Sequence, residues 1–277
     1  MFKLSIITIN RNNSDGLKRT IESVVCQTFR DFEYIVIDGA STDGSVEVIK
    51  QYEDKITYWV SEPDSGIYNA MNKGIEKARG EYCLFLNSGD SLIGNTILEK
   101  VFNLNVSEDI LYGDLMVIES KKKWEKTYPD KLTFEYFLKD TLSHPSSFIK
   151  KKLFETAGKY NETNKIVSDW EFFILVVNKY NCTYKHLPFV ISEFIYDGIS
   201  SLPDNSNIIL QEKNNVLKKY FPCFTENYAE LMALRQQLRE LNKIKQELCD
   251  LKKSVFFKYG FKIGQAIKHL FKQCQNQ

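Results

Sequence analysis

Between residues 4 and 90 the chain switches regularly between two patterns of apolar spacing. Short continuous apolar runs at 4–9 (LSIITI), 32–38 (FEYIVID), 56–60 (ITYWV) and 82–86 (YCLFL) alternate with stretches at 16–27, 45–52 and 67–78, whose apolar residues recur every three or four positions. The first pattern predicts strands buried on both faces and the second predicts amphipathic helices. The order β-α-β-α-β-α-β therefore predicts a parallel sheet, because each parallel return needs a crossover helix.

Beyond residue 90 the alternation weakens. A helix is expected over 95–103, strands over 110–118 and 123–128, a helix over 133–140, and another opening at Ser168-Asp169-Trp170-Glu171. Residues 183–196 read as two strands parted at Pro188. The polar run at 200–207 reads as a linker, giving an α/β domain over 1–200 and a helical extension over 201–277.

In that extension Leu231, Leu234, Leu238, Leu241 and Leu248 keep a/d heptad spacing, with Lys245 in one a position. A helix hairpin and a homodimer contact through residues 228–252 both account for the seam, and internal packing of the leucines is the expected outcome. Residues 255–272 mix aromatics with lysines and contain no acidic residue. Two outcomes are open for this stretch: a helix lying on an anionic membrane surface, or a terminal helix packed on the core with its lysines solvated.

Composition narrows the class. The 277 residues are 43% hydrophobic and 26% charged with a net charge of +1, which lacks the basic excess of a nucleic-acid binder. The six cysteines have no C-x-x-C spacing, as in a reducing cytoplasm. No apolar run approaches the ~20 residues of a membrane span, and Met1-Phe2-Lys3 leads into a strand rather than a signal segment. The expectation is a cytoplasmic protein, peripheral at the inner face of the membrane if residues 255–272 take the first of their two outcomes.

Candidate chemistry gathers where the strands end. In an open parallel sheet ligands bind beyond the carboxyl ends of the strands. There the sequence places Thr8-Ile9-Asn10-Arg11-Asn12, Asp38-Gly39-Ala40-Ser41, Glu62-Pro63-Asp64-Ser65-Gly66 and Asn87-Ser88-Gly89-Asp90. None is a G-x-G-x-x-G or G-x-x-x-x-G-K-[ST] loop, so a phosphate here needs another counter-charge. A hard Mg²⁺ or Mn²⁺ held by one or two carboxylates supplies it, and Asp90 is placed for that.

Five stretches in this order resemble a family 2 glycosyltransferase: SIITINRN at 5–12, TIESVVCQTF at 20–29, FEYIVIDGASTDG at 32–44, SEPDSGIYNAMNKG at 61–74, and ARGEY at 78–82 leading into LNSGD at 86–90. The resemblance covers most of the first 200 residues and implies the GT-A fold, a Rossmann-like, mostly parallel sheet with helices on both faces. It implies that Asp38 reads a nucleotide base, with Thr8, Asn10, Arg11 and Asp64 lining the same pocket. It places Asn87, Ser88 and Asp90 at the D-x-D position, where Asp90 binds the metal on the donor's diphosphate. Asn87 and Gly89 stand where carboxylates are usual.

By the same resemblance Asp169 is the base that takes the acceptor's proton, and His144 lies near the acceptor. The implied activity is inverting transfer of a sugar from a nucleotide sugar, UDP-linked, to a saccharide or lipid-linked saccharide in bacterial-type surface polysaccharide synthesis. A nucleotide-binding module that has lost catalysis and acts in assembly is the alternative, with an enzyme active without metal as the intermediate case. From spacing alone the aspartates have plainer readings. Ser168 and Glu171 form a capping box around Asp169, Asp38 and Asp90 are turn residues, and Asp43 is a turn or N-cap residue.

Overall fold

A computed structural model describes residues 2–119, 122–196, 203–253 and 255–274. Its elements, in chain order, are β1 (Leu4–Asn10), α1 (Ser14–Val25), β2 (Phe32–Asp38), α2 (Ser45–Gln51), β3 (Tyr58–Ser61), α3 (Ile67–Lys77), β4 (Tyr82–Phe85), β5 (Ser91–Leu92) and α4 (Ile97–Phe102). They continue as β6 (Ile110–Glu119), β7 (Lys122–Lys126), α5 (Phe134–Lys139), β8 (Ser147–Lys150), α6 (Lys151–Thr156), α7 (Ser168–Asn178) and β9 (Tyr184–Ile195), then α8 (Ser206–Tyr220), α9 (Pro222–Lys253) and α10 (Val255–Cys274). The chain forms two compact units, Met1–Asn214 and Asn215–Gln277.

The first unit is a mixed sheet in the order β3-β2-β1-β4-β8-β6-β9-β5, with β7 also on β6. The parallel expectation for residues 4–90 holds across β3-β2-β1-β4; beyond it β6 and β9 also pair in parallel, while β8, β7 and β5 join antiparallel. Every residue of β1 is buried, as a strand covered on both faces requires. Leu17, Ile21 and Val24 of α1 pack with Leu4, Ile6 and Val36. On α7 only Asp169 and Asn178 escape burial, and Phe172 stacks on Phe154 with centroids 4.6 Å apart.

Two local expectations need correction. Residues Tyr184–Ile195 form one strand, not two: Leu187 pairs with Gly113 and Val190 with Asp114, so Pro188 and Phe189 bulge out of the ladder. Proline has no N–H to donate, and a bulge is where a strand tolerates it without ending. The heptad leucines do not pack internally either. Leu234, Leu238, Leu241 and Leu248 on the single helix α9 are each more than half exposed. The side chain of Leu231 and residues 197–202, including the start of the expected linker, lie outside the described residues.

One buried carboxylate ties the start of the sheet together. Glu33 on β2 is 1% exposed and accepts hydrogen bonds from Ser5 Oγ (2.7 Å), Gly80 N (3.1 Å), Arg79 Nε (2.9 Å) and Arg79 N. Gly80 can come this close only because it lacks a Cβ, which would lie 2.5 Å from Ser5 N. Glu33→Ala removes several charge-assisted bonds and strands the Arg79 N–H. It should lower the unfolding free energy by about 2–4 kcal/mol in urea titration, and a loss under 1 kcal/mol would show that the cluster contributes little.

Candidate active site

Strand register sets the first half of the site. Asn10 pairs with Asp38 across β1–β2, and Asp38 with Ser61 across β2–β3, so three polar residues form a row at the carboxyl ends. Asp38 has no solvent exposure and its oxygens are fully used. Oδ1 accepts from Asn10 Nδ2 (2.7 Å) and Ser41 Oγ (2.6 Å), and Oδ2 accepts from Ser41 N (2.9 Å) and Ser61 Oγ (2.6 Å). Burial alone would raise its pKa, but the donors from Ser41, Ser61 and Asn10 outweigh it and hold the carboxyl below its usual range. The Asp38 carboxylate therefore ties the Asn10 and Ser41 loops to the end of β3.

The other residues expected around a base divide into two groups. Thr8 is buried and its Oγ1 lies 3.0 Å from the Tyr34 hydroxyl, on the core side of the strand. Asp64 and Arg11 do come to the strand ends, with Arg11 Nη1 3.9 Å from Asp64 Oδ1. Gly39 makes room for them, since a Cβ there would sit 2.4 Å from Asp64 Oδ2. Asp64 Oδ1 also accepts from Gly66 N at 3.1 Å, which fixes the turn into α3.

Asn87 to Asp90 follow directly from β4. Ser88 N donates to Ile9 O at 3.0 Å, which continues the parallel pairing of the adjacent strands. Gly89 adopts φ +114°, a conformation that favours glycine, and the loop then turns back. Thr20 on α1 holds the turn: its hydroxyl donates to Asp90 O (2.6 Å) and accepts from Gly89 N (3.0 Å). Arg19 Nη2 donates to Gly89 O, and Asn13 Nδ2 donates to Ser88 O at 3.0 Å. The Asp90 carboxylate is buried and accepts from Asn87 N at 3.1 Å.

The second half of the site comes from α7. Asp169 lies in its first turn. Oδ1 accepts from Trp170 N (2.9 Å) and from the Tyr68 hydroxyl (3.0 Å). The capping box does not form. Ser168 Oγ accepts from Asn161 N (2.5 Å), and Glu171 accepts from Asn161 Nδ2 (3.0 Å) and Asn164 Nδ2 (2.6 Å), so both residues hold the preceding loop. Val167 occupies the N-cap without a side-chain bond.

His144, in a short 3₁₀ turn, joins the two halves. Its Nε2 lies 3.0 Å from Asn87 Nδ2 and 4.0 Å from Asp90 Oδ2, and its Nδ1 lies 3.7 Å from Asp169 Oδ2. With its proton on Nδ1, the ring accepts from Asn87 and faces Asp169 with an N–H. Asp90, Asn87, His144 and Asp169 thus converge, although the two aspartates lie 79 positions apart in the chain.

These residues can take a hard cation. No group of three His, Cys, Asp or Glu side chains among the described residues forms a metal site. Mg²⁺ and Mn²⁺ need fewer when a diphosphate supplies the remaining oxygens. Beside Asp90 the Asn87 Oδ1 is buried and has no hydrogen-bond partner, an oxygen a cation could use. Asn10 Oδ1, at the end of β1, is likewise buried without a partner.

Several positioning residues escaped the sequence reading. Thr20 and Tyr68 look like ordinary helix residues until the loops they hold are in place. Asn72, one turn beyond Tyr68 on α3, bonds both Tyr160 N (3.0 Å) and Tyr160 O (2.9 Å) and donates to Glu162 (2.8 Å), fixing the loop before α7. The i, i+4 spacing of Tyr68 and Asn72 was the available signal, because it places both on one helix face.

Comparison with known proteins decides the family. The profile of glycosyl transferase family 2 matches residues 5–168. The chain belongs to this family. An uncharacterized glycosyltransferase of Mycobacterium tuberculosis is 33% identical over 228 residues, covering 78% of this chain and 85% of that one. A "PGL/p-HBAD biosynthesis glycosyltransferase" of Mycobacterium bovis is 28% identical over 209 residues, covering 73% and 79%.

Among solved structures, S. aureus TarS 1–349 in complex with UDP superposes with a TM-score of 0.59 at 18% identity, covering 70% of this chain and 60% of that one. The mannosyltransferase PcManGT from Pyrobaculum calidifontis, in complex with GDP-Man and Mn²⁺, gives 0.54 at 14%, covering 72% and 58%. The glycosyltransferase thus spans about three fifths of these chains, and at such identities the likeness is one of fold.

The depressed pKa of Asp38 has a consequence for stability. A carboxylate whose folded pKa lies below its unfolded value stabilises the fold above the unfolded pKa, about 3.9, and loses that contribution as pH falls through the folded value. Asp38→Asn should therefore cost about 2 kcal/mol near neutral pH, and the gap to wild type should narrow below pH ~4. Urea titrations at several pH values check this, and a gap independent of pH would contradict it.

Proposed function

We propose that this glycosyltransferase moves a sugar with inversion from a UDP-sugar to a saccharide or lipid-linked saccharide acceptor in the synthesis of a bacterial surface polysaccharide. The observation that carries this reading is the convergence of Asp90 and Asp169 through His144, between the end of β4 and the start of α7. Asp169 Oδ1 is held by Tyr68 and Trp170, which leaves Oδ2 to accept the proton of the acceptor hydroxyl as the glycosidic bond forms. Asp90, with Asn87 Oδ1 beside it, would hold Mg²⁺ or Mn²⁺, which neutralises the departing diphosphate. The complexes of TarS with UDP and of PcManGT with GDP-Man and Mn²⁺ support this assignment by analogy of fold.

Release of UDP from UDP-sugars by the full chain, with and without Mn²⁺, tests the reading. Asp90→Ala should abolish the stimulation by Mn²⁺. Asp169→Asn should lower transfer by about 10²–10⁴-fold while a thermal shift by UDP persists. Tight UDP binding with no turnover of any donor in the wild type would favour the assembly module instead.

The C-terminal helix supports a place at the membrane. No helix among the described residues is long and apolar enough to cross a bilayer. On α10, however, Tyr259, Ile263 and Ile267 recur at four-residue intervals and are exposed, with Lys262 and Lys268 exposed next to Ile263 and Ile267 in sequence and no acidic residue on the helix. Such a helix binds an anionic surface by insertion of its apolar residues and by attraction of its lysines. Removing residues 255–277 should lower sedimentation with phosphatidylglycerol vesicles at least tenfold and leave UDP binding intact. Unchanged sedimentation would remove the membrane role.

A further inference from the structure

Next to Asp169 lies a cavity of about 310 Å³, large enough for a small-molecule group. Its walls are mostly apolar and aromatic: Trp124 on β7, Phe194 on β9, Tyr196 just beyond it, Trp170 on α7 and Ile209 on α8. Trp124 and Tyr196 are 41% and 44% exposed, with ring centroids 6.4 Å apart, so two large rings remain half open to a ligand. His144 and Asp169 also line the cavity, which places it on the proton-accepting side of the site.

One lining residue does not suit an apolar cavity. Lys213 of α8 is half-buried, with Nζ 4.9 Å from the centroid of the Trp170 ring and no carboxylate oxygen within 4 Å among the described residues. Burial lowers its pKa, although Asp169 and Asp140 pull the other way, and nearby Lys126 adds to the lowering. Taking an ammonium partly out of water without a close counter-ion is unfavourable.

The helix that carries Lys213 is fixed there. Its neighbour Glu212 accepts from the backbone N–H groups of Lys165 (2.7 Å), Ile166 (3.1 Å) and Val167 (3.2 Å), just ahead of the first turn of α7. The same carboxylate that attaches α8 to the Asp169 helix therefore sets Lys213 over the cavity. Lys126 does not compete for the role, because Asp140 occupies it at 2.7 Å.

We propose that Lys213 determines acceptor specificity by binding an anionic group of the acceptor, a phosphate or a carboxylate, while an apolar or sugar face of the same molecule rests on Trp124 and Tyr196. The proposal rests on Asp169 being the base, since that makes this cavity the acceptor side. The shared chemistry is an anion on an amphipathic molecule, and it has two sources: a prenyl phosphate carrier or an acidic sugar.

The test uses the full chain saturated with UDP, so that the donor site is filled, and follows intrinsic tryptophan fluorescence. Two matched pairs of probes are titrated, geranyl diphosphate against geraniol and octyl glucuronide against octyl glucoside. In one pair the anionic member should bind at least tenfold tighter than its neutral twin, and that pair names the source. The advantage should fall below threefold in Lys213→Met and Lys213→Gln and persist in Lys213→Arg, with the UDP thermal shift unchanged in all three. Equal binding within both pairs, binding of no probe, or an undiminished advantage in either neutral variant overturns the proposal. Donor turnover measured in parallel keeps it separate from the assignment of Asp169, because loss of UDP release without loss of anionic selectivity counts against the base alone.

Discussion

Carboxylates gathered in one partly buried crevice raise each other's pKa unless donors or cations surround them. In this glycosyltransferase each carboxylate of the site is held from a separate direction. Asp90 is fixed by the backbone of its own turn, which Thr20 clamps from α1. Asp169 is fixed by Tyr68 from α3 and by the start of its own helix. His144 faces both through its ring nitrogens, so its position depends on all three elements. The order of strands, the close approach at Gly80 and the loop held by Asn72 all bring these groups to a common place.

The two sides of the site differ in kind. At the strand ends hydrogen-bonding capacity is nearly exhausted within the protein, as at Asp38, and among the described residues there the buried exceptions are the amide oxygens of Asn10 and Asn87. Saturated networks of this sort are rigid and suit the recognition of one constant group. On the other side the cavity beside Asp169 is broad and aromatic with a single ill-matched cation, and its wall comes from β7, the end of β9 and α8. A family can keep the first arrangement and change the second to accept different molecules.

The β-α alternation up to residue 90 was legible because β1, β2 and β4 are buried almost throughout and the helices between them on one stripe, with only the edge strand β3 half-buried. Strands covered on both faces read as unbroken apolar runs, and crossover helices read as a stripe. The bounds of β2 match the run FEYIVID residue for residue. Beyond that point the elements are short and irregular. β8 and α6 abut without a turn signal, β5 has two residues, and Pro188 suggested a break where the strand only bulges. The capping box at Ser168 and Glu171 failed because longer-range partners at Asn161 and Asn164 took both side chains.

By itself the sequence determined the fold class, the family and the loops that meet at the strand ends, since these follow from periodicity and from motifs local in the chain. It could also nominate Asp38, Asp90 and Asp169, because each falls in a stretch that resembles the family, although spacing alone gave each a plainer reading. Tertiary structure alone decided what surrounds each. It closed Asp38 inside a shell of donors, turned Thr8 toward Tyr34, set His144 between two aspartates and laid Lys213 over an apolar cavity. The physical reason is that burial and hydrogen-bond partnership depend on neighbours from distant parts of the chain, which no local pattern records.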